Sequence, residues 1–123
     1  MSITQWFIDT FIDNNIPNRV EPRMYLILRE DLSYKYIQGA HALAQFAIDY
    51  PRLHEMWNNQ YLICLSVFNG LALEEFNESI DDKYIKSEFY EPDLGNKLTA
   101  IAMFESGEGY ISRLVKPLKL ATK

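Results

Sequence analysis

A chain of 123 residues with 48% hydrophobic and 24% charged residues is long enough for one packed domain and too apolar to be disordered. Its formal net charge of −5 excludes the uniformly basic surface through which proteins usually hold nucleic acid, so any such binding must rest on a local patch. No apolar run approaches a membrane span, no signal-peptide pattern opens the sequence, and a single cysteine, Cys64, allows no internal disulfide, so a cytoplasmic protein without a membrane partner is expected.

Residues 2–15 repeat Ile3, Phe7 and Phe11, with Ile8 and Ile12, at helical spacing. Ser2 is placed to cap the start, and Asn14, Asn15 and Pro17 mark the end. The pattern predicts an amphipathic helix docked on the domain or on a second subunit. Its polar face carries Asp9 and Asp13 and no cation, the wrong sign for anionic lipid. Residues 1–18 are therefore read as an addition to a core domain spanning 19–123. Pro17 and Pro22 make residues 16–22 a linker.

The run Met24 to Leu28 predicts a strand over about 23–30. It is apolar at consecutive positions, as a central strand covered on both faces would be. A helix is expected over about 34–50. Ile37, Ala40, Ala44, Ala47 and Ile48 share one face, and Gln38, His41, Gln45 and Asp49 form a polar stripe beside it. Gly39 inside this helix costs about 1 kcal/mol relative to alanine, which close approach to a neighbour would explain.

A short helical segment over about 52–58 leads to a strand over 60–68, where Cys64 reads as a small buried hydrophobe. Asn69-Gly70 reads as a turn before an acidic-faced helix over 71–80. Alternation of Ile85, Ser87 and Phe89 with Lys86, Glu88 and Tyr90 predicts a strand over 84–90. A loop from Pro92 to Asn96, a strand over 98–104, a short helix around 110–114 and a basic tail complete the chain. The order predicts an α/β fold, a mixed four-stranded sheet with helices on both faces, built from two β-α-β units and a final strand.

Few chemistries have matching residues. His41 and His54 lie thirteen apart and Cys64 stands alone, so no metal-ligand spacing occurs. The five glycines form no phosphate loop, and there is no Gly-x-Ser-x-Gly elbow. His41 has two readings: a structural histidine at the edge of an apolar face, or part of a polar cluster with Gln38. Asp93, between rigid Pro92 and permissive Gly95, is either an ordinary turn aspartate or a carboxylate held for chemistry. Thr99, early in the last strand, is expected near Asp93 along the same edge.

Arg29-Glu30-Asp31-Leu32, then Gln38-Gly39-Ala40-His41-Ala42, then Asp93 with Gly95 and Thr99-Ala100-Ile101-Ala102, resemble the motifs of the peptidyl-tRNA hydrolase II family, the archaeal and eukaryotic type. The resemblance covers about residues 23–118. It implies a mixed four-stranded sheet flanked by helices, commonly a homodimer. It also implies hydrolysis, without metal or other cofactor, of the ester between a peptide and tRNA. Carried over residue by residue, it implies catalytic roles for His41, Asp93 and Thr99, with Asp93 or His41 acting on water and Thr99 and Gln38 donating hydrogen bonds. Gln38, Lys35 and Glu91 are expected on the substrate side. The family's functional lysine, four residues before the glutamine, falls on Tyr34 here, and Lys35 follows one step later. Asp93 precedes Thr99 by six residues where the family has four. Two further readings follow from the residues. One is a non-catalytic binder of a nucleotide or small anion on the same fold, consistent with Tyr34 and the acidic balance. The other is a protein-interaction module working through the N-terminal helix.

Overall fold

A computed structural model describes residues 21–123; the helix expected over 2–15 lies outside the described residues. Strand β1 (Arg23–Arg29) is followed by helices α1 (Lys35–Asp49) and α2 (Pro51–Trp57), then strand β2 (Tyr61–Val67) and helix α3 (Gly70–Ser79). Strand β3 (Lys86–Glu91), a 3-10 turn (Pro92–Leu94), strand β4 (Lys97–Glu105), helix α4 (Tyr110–Leu114) and strand β5 (Lys119–Leu120) complete the described chain.

The strands form one mixed sheet in the order β3-β4-β1-β2-β5. β1 pairs in parallel with β2 and antiparallel with β4, β3 pairs antiparallel with β4, and β5 antiparallel with β2. The consecutive apolar residues of β1 are sorted between the two faces. Met24, Leu26 and Leu28 join the core under α1 and α2, with Ala42, Phe46 and Trp57. Tyr25 and Ile27 join the core under α3 and α4, with Leu73 and Ile111. Both faces of the central strand are thus covered, as its composition requires.

The sheet has five strands where four were expected. The addition is β5, whose pairs are Leu65 with Leu120 and Ser66 with Lys119. Two residues are too few to produce a periodicity, so the segment reads as a basic tail in the sequence. Both expected β-α-β units are present, since β3 runs parallel to β1 and β2, but in the second unit β2 and β3 are not neighbours and lie on opposite sides of the β4–β1 pair.

Helix α1 turns the opposite way from its apolar face. Lys35, Gln38, Gly39, Ala42 and Phe46 are its buried side. Ile37 and Ile48 are 54% and 73% exposed, and Ala40 and Ala44 are exposed with them. The smallest residue decides the orientation. A β-carbon on Gly39 would lie 2.8 Å from Leu28 Cδ2 and 3.3 Å from Leu26 Cδ1, so this position is where helix and sheet approach most closely. Phe46 then anchors the same side, and the polar residues on it are buried with partners. No helix among the described residues is long and apolar enough to cross a membrane.

Candidate functional site

The polar junction between α1 and the β3–β4 edge is built by a β-bulge. Phe89 pairs with Ala100 but the next residue, Tyr90, pairs with Leu98, which leaves Thr99 as the extra residue of β4. A bulge breaks the alternation of sides. Leu98 and Ile101 face the α3 core, while Thr99 and Ala100, consecutive in sequence, both face α1. The fully buried Thr99 donates its hydroxyl proton to Gln38 Oε1 at 2.7 Å, with Phe89 O at 3.3 Å. Gln38 Nε2 donates in turn to Glu91 Oε1 at 3.1 Å. A carboxylate only accepts, so Gln38 must present its amino group to Glu91 and its carbonyl to Thr99. Direction is therefore fixed along the whole chain, from hydroxyl to amide to carboxylate.

His41 lies one turn further along α1. Its ring stacks on Phe89 with centroids 4.5 Å apart and planes 7° from parallel, and one side of it stays exposed. Its ring nitrogens hydrogen-bond to no described residue. Further down, Gln45 donates to Asp49 at 2.8 Å, and Ser87 donates to the other Asp49 oxygen at 2.8 Å. The polar stripe of α1 is thus a seam: Gln38, His41 and Asp49 meet Glu91, Phe89 and Ser87, alternate residues of the edge strand β3.

The structure brings Gln38, Thr99 and Glu91 together, with His41 one turn along the same seam, and leaves Asp93 and Lys35 apart. Asp93 is exposed on the 3-10 turn and its carboxylate hydrogen-bonds to no described side chain. The carboxylate joined to the junction is Glu91, because β3 extends through residue 91 and its alternation points that side chain at α1. Pro92 then starts the turn that takes Asp93 away. Gly95 at φ 68° and Asn96 at φ 58° close that turn in the left-handed region, so the permissive role expected of Gly95 is met.

Lys35 is buried but faces elsewhere. Its Nζ lies 3.3 Å from Glu30 Oε2 and 3.2 Å from Thr122 Oγ1. Glu30 also accepts the Thr122 backbone N–H at 2.9 Å and the Thr122 hydroxyl. The Thr122 hydroxyl and amide, helped by Ser66 and Lys35, hold the Glu30 carboxyl at about 2, well below its ordinary 4.5. Arg29 and Asp31 form a second closed pair, with contacts of 3.0 and 2.8 Å, and Arg29 also donates to Leu98 O at 3.1 Å. Hydrogen bonding to Arg29 lowers the Asp31 pKa, and the same bond raises that of Arg29. Gly70 makes room for this clamp, since a β-carbon there would meet the Arg29 guanidinium at 2.8 Å. Asn69, expected as a turn residue, caps α3 by accepting the Ala72 N–H at 2.9 Å.

One buried group went unread in the sequence. Glu105 is 1% exposed and accepts backbone N–H groups from Gly107 at 2.8 Å, Gly109 at 2.9 Å and Ser112 at 2.9 Å. The signal was Gly107-Glu108-Gly109 between strand and helix, two glycines at positive φ. The amides such a loop would offer an anion are filled by the chain's own carboxylate. Beside it, at the end of β4 remote from Thr99, lies a cleft of about 520 Å³. Cys64 is half-buried, and burial raises its thiol pKa. Among the described residues no three His, Cys, Asp or Glu side chains are grouped to hold a metal ion.

No family model matches the chain, and no curated protein does. Among solved structures it is similar to a protein of unknown function from Agrobacterium tumefaciens strain C58, with a TM-score of 0.61 at 15% identity. The match covers 84% of this chain and 99% of the other, and at that identity it establishes a shared α/β architecture and nothing about activity.

Proposed function

We propose that the chain is a divergent peptidyl-tRNA hydrolase II-like protein whose working centre is the Gln38–Thr99–Glu91 junction. The observation that carries this reading is the 2.7 Å bond between Thr99 and Gln38, residues 61 apart that belong to two of the three resembling motifs. The reaction is hydrolysis of the ester between peptide and tRNA. Glu91, half-buried and joined to the junction, is the base that takes a proton from water. The resulting hydroxide adds to the ester carbonyl. The second N–H of Gln38, not used by Glu91, serves the oxyanion. Collapse releases the peptide acid and returns the proton to the ribose oxygen. Thr99 is a positioning residue that fixes the Gln38 amide, and exposed His41 stands beside the leaving group. Purified protein is expected to release peptide from peptidyl-tRNA, and Glu91→Gln to slow release by about 10²–10⁴-fold, the usual worth of a general base. Failure of the wild-type protein to release any peptide overturns the assignment.

A second reading is a non-catalytic binder of a nucleotide or other small anion. It is favoured by the pairing of Arg29 with Asp31 and of Lys35 with Glu30, which removes two cations a polyanion would need. A rise in melting temperature with nucleotides, but none with tRNA, distinguishes it.

A further inference from the structure

We propose that the cleft at the far end of β4 is the docking site for this chain's own N-terminal segment, with Ile3, Phe7 and Phe11 as the inserted side chains. The inference is independent of the reaction proposed above.

The cleft has a defined origin. β3 starts at Lys86, opposite Met103, so the last two residues of β4, Phe104 and Glu105, have no partner on that edge. Residues 83–85 and the start of α4 border the gap. The loop over 106–109 is held by the three backbone hydrogen bonds to Glu105, so that wall is fixed. The lining is mainly apolar: Leu53, Tyr84, Ile85, Phe104, Tyr110 and Ile111. Ile85 and Tyr110 remain 39% and 53% exposed.

Position selects the occupant. Arg23 pairs with Glu105 and Met24 with Phe104, so the chain preceding β1 leaves the sheet at the end where the cleft lies. Neighbouring strands are about 5 Å apart, and seven linker residues, 16–22, reach up to about 23 Å, so the cleft is well within range. The segment beyond that linker repeats Ile3, Phe7 and Phe11 at one-turn intervals, an apolar face that needs a cover. Lys83 and Glu108 are the lining's other charged groups besides Glu105; Lys83 gives Asp9 or Asp13 a cation to meet. The exposed back of α1, around Ile37 and Ile48, is another apolar surface. It is convex and faces directly away from the sheet, so a segment leaving β1 would have to climb over α1 to reach it.

Engineered cysteines in a full-length Cys64→Ser background test the proposal. Phe7→Cys is paired with Tyr110→Cys at the cleft, or with Ile37→Cys on α1; both partner positions are exposed, so folding is not at risk. Mild oxidation is expected to give an intramolecular disulfide with Tyr110→Cys, at least about tenfold faster than with Ile37→Cys, because docking raises the effective concentration. A disulfide that links two chains at Tyr110→Cys would assign the cleft to a second copy's segment and overturn docking in cis. Cross-linking at Ile37→Cys instead, or equal slow rates at both, also overturns it. As a second readout, Tyr110→Asp is expected to red-shift the emission of Trp6 in a Trp57→Phe background, and no shift counts against docking.

Discussion

Thr99 has no exposed surface, yet it decides where Gln38 points, because among the described residues its hydroxyl supplies the only proton that the Gln38 side-chain carbonyl receives. Thr99→Val keeps the shape and removes the donor, leaving a buried carbonyl oxygen unsatisfied. The expected loss is about 1–3 kcal/mol of stability, measured by urea unfolding. Glu105→Gln weakens three charge-assisted bonds while preserving volume, and about 2 kcal/mol of destabilisation is expected in the same assay. Glu30 gives a pH prediction. Its folded pKa of about 2 lies below the ordinary 4.5, so the stabilisation it provides is complete above 4.5 and is lost as pH falls toward 2. The melting-temperature difference between wild type and Glu30→Gln should therefore shrink across that window; a constant difference contradicts the role given to Thr122. The site residues were unevenly legible. Gln38 and Thr99 could be found because each sat on the correct element with a periodic neighbour. Lys35 was expected on the substrate side from the resemblance, one step from the family's lysine; it is held by Glu30 and by Thr122, and the second partner, 87 residues away, has no local signature.

Element boundaries followed the sequence closely, since Pro51, Pro92 and the apolar runs fix them locally. Element orientation did not. Periodicity identifies an apolar face on α1 but carries no information on which side the sheet lies, and Gly39 proved the better guide because it marks closest approach. Gly39→Ala tests this. Alanine gains about 1 kcal/mol of helix propensity, but its methyl would sit 2.8 Å from the buried Leu28 side chain. Overpacking of this kind costs about 1–3 kcal/mol, so a net loss near 1 kcal/mol is expected, and stabilisation would show that α1 can shift outward. Glu91, and not Asp93, joins the junction for a related reason. They are two residues apart in sequence, and only the end of β3 determines which one still alternates toward α1.

Across the whole molecule, stability should fall from the middle of the sheet to its edges. β1 is paired on both sides and buried on both faces, whereas β5 pairs only two residues. Native-state hydrogen exchange should find β1 and β4 amides slowest and β5 fastest, and fast exchange in β1 would argue against this architecture. The α/β class and the coverage of both faces were legible from the composition of β1 and the order of elements. The fifth strand and the order of strands were not, because pairing partners are chosen by packing across distances that no local pattern records.

The bulge at Thr99 carries a consequence for how this chain can vary. Thr99 faces Gln38 because β4 holds one residue more than β3 over this stretch, so the junction depends on a count as well as on identities. Loss of Leu98 would restore regular pairing by setting Thr99 opposite Tyr90 and turning it toward α3, with Gln38, Thr99 and Glu91 all still encoded. An insertion in the exposed turn after Pro92 would leave that count intact. Change of length should therefore be tolerated in the turn and rejected a few residues later.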